Sequence, residues 1–373
     1  MTSPSPLAPA AEAEAPGLVH SPTEERNPRT LRIDTEPVPE IIATILAEDA
    51  RVMEAVAAAS GQVARLAEAC VAAIATGGRV HYVGAGTSGR LGVLDAVELL
   101  PTYNAGPEYV VAHLAGGDGA MMRAVEGAED SEAEGAALVR ESCGAVDLVI
   151  GLAASGRTPF VAGALREARE RGLVTGLVSA NPHAPLAALA DIPVLLDTGP
   201  EVVTGSTRMK AATAQKIVLN AISTATMIRL GKTYENLMID VRATNHKLVA
   251  RTARILVEAS GASHEEASAA LAATNGDVRA SLVLLVASRE ASGRPSAWAD
   301  PDSEARPGEN PSAGENPGAG AAARLAAEAI RLTAEHPPHP ARVGDPSGLR
   351  TATAHLRALM TDSPDPLAAH GAS

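Results

Sequence analysis

The stretch RVHYVGAGTSGRLGVLDAVE, residues 79–98, decides the fold of this chain. A short apolar run stops at Gly84, two further glycines follow within five residues, and a helical pattern then begins. The stretch therefore predicts a strand, a glycine turn and the start of a helix. Backbone N–H groups, the helix dipole and two hydroxyls converge at such a turn, which suits a phosphate. We interpret Gly86, Thr87 and Ser88 as phosphate-binding residues.

The glycine spacing leaves two other interpretations open. The pattern Gly84-x-Gly86-x-x-Gly89 also fits the dinucleotide-binding fingerprint, which needs an acidic residue after the second strand. Asp118 follows the strand-like run YVVAHLA and is the candidate for that role. A plain turn that only joins a strand to a helix is the second interpretation. The hydroxyls of Thr87 and Ser88, together with a second anion loop described below, favour a sugar phosphate over a dinucleotide site and over a plain turn.

Composition limits the classes of partner. Of the 373 residues, 46% are hydrophobic but only 2% aromatic, so the core is aliphatic and stacking on nucleic-acid bases is not expected. The net charge of −13 also argues against nucleic acid. We see neither a signal peptide nor an apolar run long enough for a bilayer. We expect a cytoplasmic protein with a small-molecule partner and neither a nucleic-acid nor a membrane partner.

No metal or cofactor is predicted. Cys70 and Cys143 belong to no CxxC pair, which is typical of a reducing compartment. The histidines that we considered as metal ligands are not at metal-binding spacing: His81, His113, His183 and His246.

Strand and helix patterns alternate through the middle of the chain. Strands are predicted at 79–84, 109–114, 146–152, 173–179 and 192–196, and helices near 88–100, 119–128, 131–142, 158–172 and 207–229. The strands are apolar almost throughout, as in a parallel sheet covered by helices on both faces. We therefore predict an α/β fold with a doubly wound parallel sheet. Ligands of such folds bind at the carboxyl ends of the strands.

Four segments are predicted from composition. Residues 1–22 form a disordered tail and 23–248 the sugar-phosphate-binding catalytic domain. Residues 249–293 form a small three-helix bundle that resembles ubiquitin-associated modules, with Ser263 as an N-cap. Residues 294–373 are a low-complexity linker and disordered tail, with one helix predicted at 321–335.

A second anion loop follows the apolar run DLVIGL. Ser155 and Thr158 offer hydroxyls, Gly156 allows close backbone approach, and Pro159 suits the first turn of a helix. The alternative is an ordinary N-cap at Thr158, which needs one hydroxyl and not two that flank a glycine.

Carboxylates supply the candidate acid/base groups. Glu98 lies about three turns along the helix that begins at the glycine turn, and Glu129 lies in the acidic segment 124–130. An acidic run is usually a solvated face, and that alternative stays open for the segment. In the stretch GPEVVTGSTRMK, we interpret Glu201 as a group that grips sugar hydroxyls, while Ser206 or its neighbour caps the following helix and contacts substrate.

Taken together, these motifs resemble one known family. VGAGTSGRLGVLDAVE, AGG with VEGAED, ASGRTPF, GPEVVTGSTRMKAATAQK and LNAISTATMIRLGKTYENLMID are similar to N-acetylmuramic acid 6-phosphate etherases, over roughly residues 22–293. The resemblance implies a sugar isomerase (SIS) fold, a cytoplasmic homodimer and a role in cell-wall amino sugar recycling. It also implies cleavage of the D-lactyl ether of N-acetylmuramate 6-phosphate to N-acetylglucosamine 6-phosphate and D-lactate, without a cofactor.

The resemblance also assigns roles. It places the catalytic acid at Glu98 and the second active-site carboxylate at Glu129, and sugar-phosphate contacts at Ser88, Ser155 and Thr158. The chain departs from the family pattern at Leu99-Leu100, Phe160 and Ala212, none of which is a catalytic group. Two related functions stay open: a non-catalytic sugar-phosphate-binding regulator of the glucokinase regulatory protein type, and a sugar phosphate isomerase.

Overall fold

A parallel sheet forms the centre of the protein. A computed structural model describes residues 21–123, 125–240, 246–292, 319–342 and 344–361. The sheet has five strands in the order β2-β1-β3-β4-β5, all parallel. The strands are β1 (Val80–Gly84), β2 (Val110–Leu114), β3 (Leu148–Leu152), β4 (Val174–Ser179) and β5 (Ile192–Leu195). The predicted parallel α/β sheet and all five of its strands are confirmed.

Helices cover both faces of the sheet, as predicted. The helices of this domain are α1 (Val38–Asp49), α2 (Arg51–Ala58), α3 (Ser60–Ala75), α4 (Gly86–Tyr103), α5 (Glu132–Ser142), α6 (Pro159–Glu170) and α7 (Lys210–Arg229). Side chains alternate along each strand. Tyr82 therefore joins the apolar core beneath α3, α4 and α7, whereas Val83 joins the core beneath α5 and α6.

The helix predicted at 119–128 is wrong. The chain forms two short 3₁₀ turns there, Asp118–Met121 and Ala128–Asp130. Gly127 lies inside the predicted helix with a φ of 74°, a left-handed backbone conformation that an α-helix cannot contain. The segment is therefore a loop that folds over the carboxyl end of β2.

The start of α4 touches the end of β1 directly. A Cβ atom added to Gly89 would lie 2.5 Å from the carbonyl oxygen of Gly84, and one added to Gly84 would lie 2.8 Å from the nitrogen of Gly89. Two glycines are needed at this approach because neither position has room for a side chain. The contact fixes the first turn of α4 at the edge of the sheet.

A helical bundle follows the sheet domain. A short hairpin of β6 (Thr233–Tyr234) and β7 (Leu237–Met238) leads into α8 (His246–Ser260), α9 (His264–Ala273) and α10 (Val278–Ala291). The predicted N-cap is confirmed, since the Ser263 hydroxyl accepts from the backbone N–H of Glu266 in a capping box. The three-helix unit is present, and its likeness to ubiquitin-associated modules stays a prediction.

Part of the predicted disordered tail is helical. The helices α11 (Ala319–Glu335) and α12 (Leu349–Thr361) pack on the bundle. The first agrees with the helix predicted at 321–335, but the second lies where we expected disorder. Leu349, Ala352 and Leu356 are spaced at helical intervals and have no exposed surface. The Pro- and Gly-rich residues before them hide this short pattern in the sequence. The linker at 293–318 and residues 1–20 lie outside the described residues.

No helix within the described ranges combines the length and the apolar character that a membrane span needs.

We expect Gly89→Ala to lower the free energy of unfolding by about 1–3 kcal/mol, because its Cβ would lie 2.5 Å from the carbonyl oxygen of Gly84 and 2.6 Å from Cδ1 of Leu114. Urea unfolding measures the change. Gly61→Ala is the matched control, since a Cβ on Gly61 in α3 meets nothing within 4 Å. Equal stability of the Gly89→Ala variant and the wild type would contradict the close contact of α4 and β1.

Candidate active site

Two neighbouring cavities lie at the carboxyl ends of β1 and β3. The glycine-turn cavity, of about 300 Å³, is lined by Ala85, Gly86, Arg90, Ala115, Ala120, Val125, Glu126, Gly127, Ala128 and Glu129. The anion-loop cavity, of about 280 Å³, is lined by Ser21, Glu24, Glu129, Asp130, Ser155, Arg157, Thr158 and Pro159. Glu129 borders both cavities. The structure thus brings predicted residues Gly86, Glu129, Ser155 and Thr158 to one edge of the sheet.

The anion loop has the character of an anion-binding site. No side chain caps the first turn of α6, so the positive end of this helix is left to a ligand. Ser155 and Thr158 line the cavity beside it. Arg157 adds a cation, and its buried Nε atom has no hydrogen-bond partner among the described residues. This arrangement suits a phosphate.

Gly156 shapes the loop and is itself buried. Its φ is 67°, and a Cβ atom would lie 2.2 Å from the Cβ of Ala184. The tight contact holds the neighbouring backbone, where the carbonyl of Ser155 accepts from Nδ2 of Asn181 at 2.9 Å. Gly156 therefore positions the anion loop, and its absence from the cavity lining argues against the direct contact that we predicted.

The glycine turn contributes less than predicted. Gly86 has a φ of 52°, begins α4 and lines its cavity, and no side chain caps this helix. Ser88 is buried, and its hydroxyl donates to Oε1 of Gln215 on α7 at 2.8 Å. The hydroxyl proton of Ser88 is therefore used in a hydrogen bond between α4 and α7. This contact argues against the predicted role of Ser88 in phosphate binding. Thr87 is half-buried and lines neither cavity.

The two predicted catalytic carboxylates are not brought together within one chain. Glu129 lies on a 3₁₀ turn between the cavities, whereas Glu98 is exposed on α4 and lines neither of them. Twelve residues separate Glu98 from Gly86, which is about 18 Å along a helix. Around Glu98 the apolar side chains of Leu94 and Val97 are 42% and 57% exposed.

Glu201 is a structural residue, and its predicted sugar contact is wrong. Its side chain has no exposed surface, and its two oxygens accept from the backbone N–H groups of Lys210 and Ala211 at 3.0 and 2.9 Å. Burial raises the pKa of its carboxyl, while the two N–H donors lower it. Glu201 thus caps α7, so Ser206, predicted as the cap, neither caps the helix nor lines a cavity. A cap nine residues upstream has no local sequence signature.

The N-terminal segment Ser21–Glu36, here called the strap, is the part of the site that sequence reasoning missed. Its polar run TEERNP, residues 23–28, predicts only a loop from composition. The strap is fastened to the loop before α7, where the Thr30 hydroxyl donates to the carbonyl of Val202 at 2.8 Å. It also carries Ser21 and Glu24 into the lining of the anion-loop cavity. The buried residues of the strap include Ser and Thr and show no apolar periodicity, so the sequence does not predict that the strap lines the cavity.

A buried charge network holds the strap. The carboxylate of Glu48 on α1 accepts from Nζ of Lys210 at 2.6 Å and from Nδ2 of Asn27 at 2.8 Å, and it pairs with the guanidinium of Arg29. Glu48 is 3% exposed and Lys210 is fully buried. The hydrogen bond from Arg29, joined by those from Lys210 and Asn27, lowers the pKa of Glu48 to about 2 against the opposing effect of burial.

Two of the histidines lie in contact on neighbouring strands. Nε2 of His81 lies 2.8 Å from a carboxylate oxygen of Asp147, and its Nδ1 lies 2.9 Å from Nε2 of His113. Burial lowers the pKa of His113 to about 4. Asp147 also accepts from the backbone N–H groups of Arg79 and Gly144, both at 2.8 Å. These contacts explain the group as a hydrogen-bonded structural chain near the amino end of β1, away from both cavities.

Comparison with known proteins gives a consistent family. A family model described as the glucokinase regulatory protein N-terminal SIS domain matches residues 62–169. The N-acetylmuramic acid 6-phosphate etherase of Salmonella dublin is 50% identical over 271 residues, which cover 72% of this chain and 91% of that protein. The etherase of Salmonella typhimurium is 49% identical over the same shares. The structure of a phosphoheptose isomerase from Francisella tularensis aligns with a TM-score of 0.41 at 17% identity, covering 51% of this chain and 98% of that one.

We expect Glu48→Gln to lower the free energy of unfolding at pH 7 by about 3 kcal/mol, because it leaves the buried Lys210 without a counter-charge. The folded-state pKa of Glu48 lies below its ordinary value of 4.5. The wild type therefore loses this stabilisation as pH falls from about 4.5 towards 2, and its advantage over the variant narrows in that window.

Urea unfolding of both proteins at pH 7, 5 and 3.5 makes the comparison. Glu54→Gln is the matched control, because Glu54 is exposed on α2. Its free energy of unfolding should stay within about 0.5 kcal/mol of the wild-type value. A constant difference between wild type and Glu48→Gln at every pH would count against the charge network.

Proposed function

The chain belongs to the N-acetylmuramic acid 6-phosphate etherase family, and we propose that it cleaves the D-lactyl ether of N-acetylmuramic acid 6-phosphate. The observation that carries the proposal is the identity of about one half with proteins of that name over nine tenths of their length. The products are N-acetylglucosamine 6-phosphate and D-lactate. The same identity disfavours the alternatives of a regulator or an isomerase.

The anion loop is the proposed phosphate site. The protein as a whole carries a net charge of −13, so a phosphate has to be held by local groups. Arg157, the hydroxyls of Ser155 and Thr158 and the first turn of α6 supply such groups at one place. The sugar then extends from the anion loop towards Glu129, which borders both cavities.

The reaction needs a base and an acid. With the sugar ring open, the C1 aldehyde makes the C2 proton acidic. We assign Glu129 as the base that takes this proton, and Glu98 as the acid that protonates the ether oxygen as its bond to C3 breaks. Lactate leaves with that proton, and a C2–C3 double bond remains. Water then adds across it, its oxygen to C3 and its proton to C2, with Glu98 as the base that activates the water.

The distance between Glu98 and the cavities favours a second copy of the chain in this assignment. Glu98 lies about 18 Å along α4 from the glycine turn of its own chain, too far to act on a sugar held there. It is surrounded by exposed Leu94, Val97 and Leu100, an apolar patch of the kind that partners cover. We therefore propose a homodimer in which Glu98 of one copy completes the cavities of the other.

We expect Glu98→Gln and Glu129→Gln each to reduce D-lactate release by a factor of roughly 10² to 10⁴, because each removes a proton-transfer group. Mixed dimers carrying one copy of each variant should recover about half of the wild-type rate, since a two-fold symmetric dimer then keeps one intact site. The two copies carry different affinity tags, so that only mixed dimers are purified. Lactate is measured enzymatically with N-acetylmuramic acid 6-phosphate as substrate.

Glu134→Gln, at an exposed position on α5 outside both cavities, is the control and should retain the wild-type rate. Mixed dimers without activity would show that Glu98 and Glu129 act within one chain. Wild-type activity in both single variants would refute the assignment of the two carboxylates.

A further inference from the structure

The strap holds one carboxylate at a defined place in the anion-loop cavity. The carbonyl of Thr23 accepts from the backbone N–H of Gly205 at 3.0 Å, and the Thr23 and Ser21 hydroxyls lie 2.8 Å apart. Thr23 has no exposed surface and Ser21 has 1%. The backbone on the amino side of Glu24 is thereby fixed, and Glu24 is exposed and lines the cavity.

The carboxylate of Glu24 is available to a ligand. Thr23 donates a long hydrogen bond of 3.4 Å to Oε1, and Oε2 lies beside Gly205, where an added Cβ would come within 3.2 Å of it. Within the residues that the structure describes, Glu24 makes no ion pair with Arg157 or another cation. A carboxylate that faces a cavity in this state can accept hydrogen bonds from bound hydroxyl groups.

The distribution of charge in the cavity tells which part of a ligand meets Glu24. Arg157 and the first turn of α6 supply positive charge to the lining, while Glu24, Glu129 and Asp130 supply three carboxylates. A phosphate or a lactate carboxylate is repelled by those oxygens, whereas hydroxyl groups can donate to them. A ligand that complements both the cationic and the carboxylate groups therefore carries an anionic end and hydroxyl groups.

We propose that Glu24 is a substrate-binding residue that accepts hydrogen bonds from the C4 hydroxyl and, in the ring-open sugar, from the C5 hydroxyl, both of which lie between the phosphate and the ether carbon. The proposal rests on the proposed function for the identity of the sugar. It gives the strap a role in selecting polyhydroxylated phosphates over phosphate alone. The buried contacts of Thr23 then serve to position this carboxylate.

The test measures binding and not turnover. N-acetylglucosamine 6-phosphate and inorganic phosphate are titrated separately by calorimetry into wild type, Glu24→Gln and Glu24→Ala. A charged hydrogen bond of ordinary strength predicts about tenfold weaker binding of the sugar phosphate to Glu24→Ala and a smaller loss for Glu24→Gln. Binding of inorganic phosphate should stay within about twofold, because that ligand has no hydroxyl chain.

Glu25→Gln is the matched control, since Glu25 is exposed next to Glu24 but does not line the cavity, and it should bind both ligands as the wild type does. Unchanged affinity of Glu24→Ala for the sugar phosphate would overturn the proposal, as would an equal tightening for both ligands, which would indicate charge repulsion alone. Weakened sugar-phosphate binding in a protein that releases no lactate would uphold this role while refuting the etherase activity. Thermal melting confirms that each variant is folded.

Discussion

The parallel pairing of β1 with β3 is the constraint on which the rest of the site depends. In this register Gly84 lies opposite Leu152, so both strands end at the same level. The glycine turn and the anion loop leave from that level and form adjoining cavities with Glu129 between them. A shift of register would separate the two loops. Gly89 in the first turn of α4 and Gly156 in the anion loop serve this geometry because each lies where neighbouring atoms leave no room for a Cβ.

The second constraint is electrostatic. The protein carries a fully buried lysine, Lys210, and a nearly buried glutamate, Glu48, which is costly unless both are well paired. Here the pair joins α7 to α1 and to the strap. Hydrogen bonds and ion pairs offset the cost of burying these charges. They also hold the strap beside the anion-loop cavity. Because the strap is polar, hydrogen bonds can hold it in place. The same polarity leaves no apolar pattern from which its position could be predicted.

The sequence predicted the elements better than the side-chain roles. Apolar runs located every strand of the sheet. Ser155, Gly156 and Thr158 predicted an anion loop after β3, and its role in phosphate binding stays a prediction. The predicted roles of side chains disagree with the structure where a side chain bonds to a partner outside its immediate sequence neighbourhood. Ser88 bonds to a residue 127 positions later, and Glu201 caps a helix nine residues away. Whether Glu98 is exposed depends on which face of α4 packs against the rest of the domain. The residues next to Glu98 in the sequence do not show this.

The central claim is that the ether is broken by elimination and that water then adds to the sugar. Turnover of N-acetylmuramic acid 6-phosphate in ¹⁸O-labelled water tests it most directly, with mass spectrometry locating the label in both products. We predict ¹⁸O at C3 of N-acetylglucosamine 6-phosphate and unlabelled hydroxyl oxygen in D-lactate. Label in the lactate hydroxyl with none at C3 would show attack on the lactyl carbon, and would contradict the roles assigned to Glu98 and Glu129.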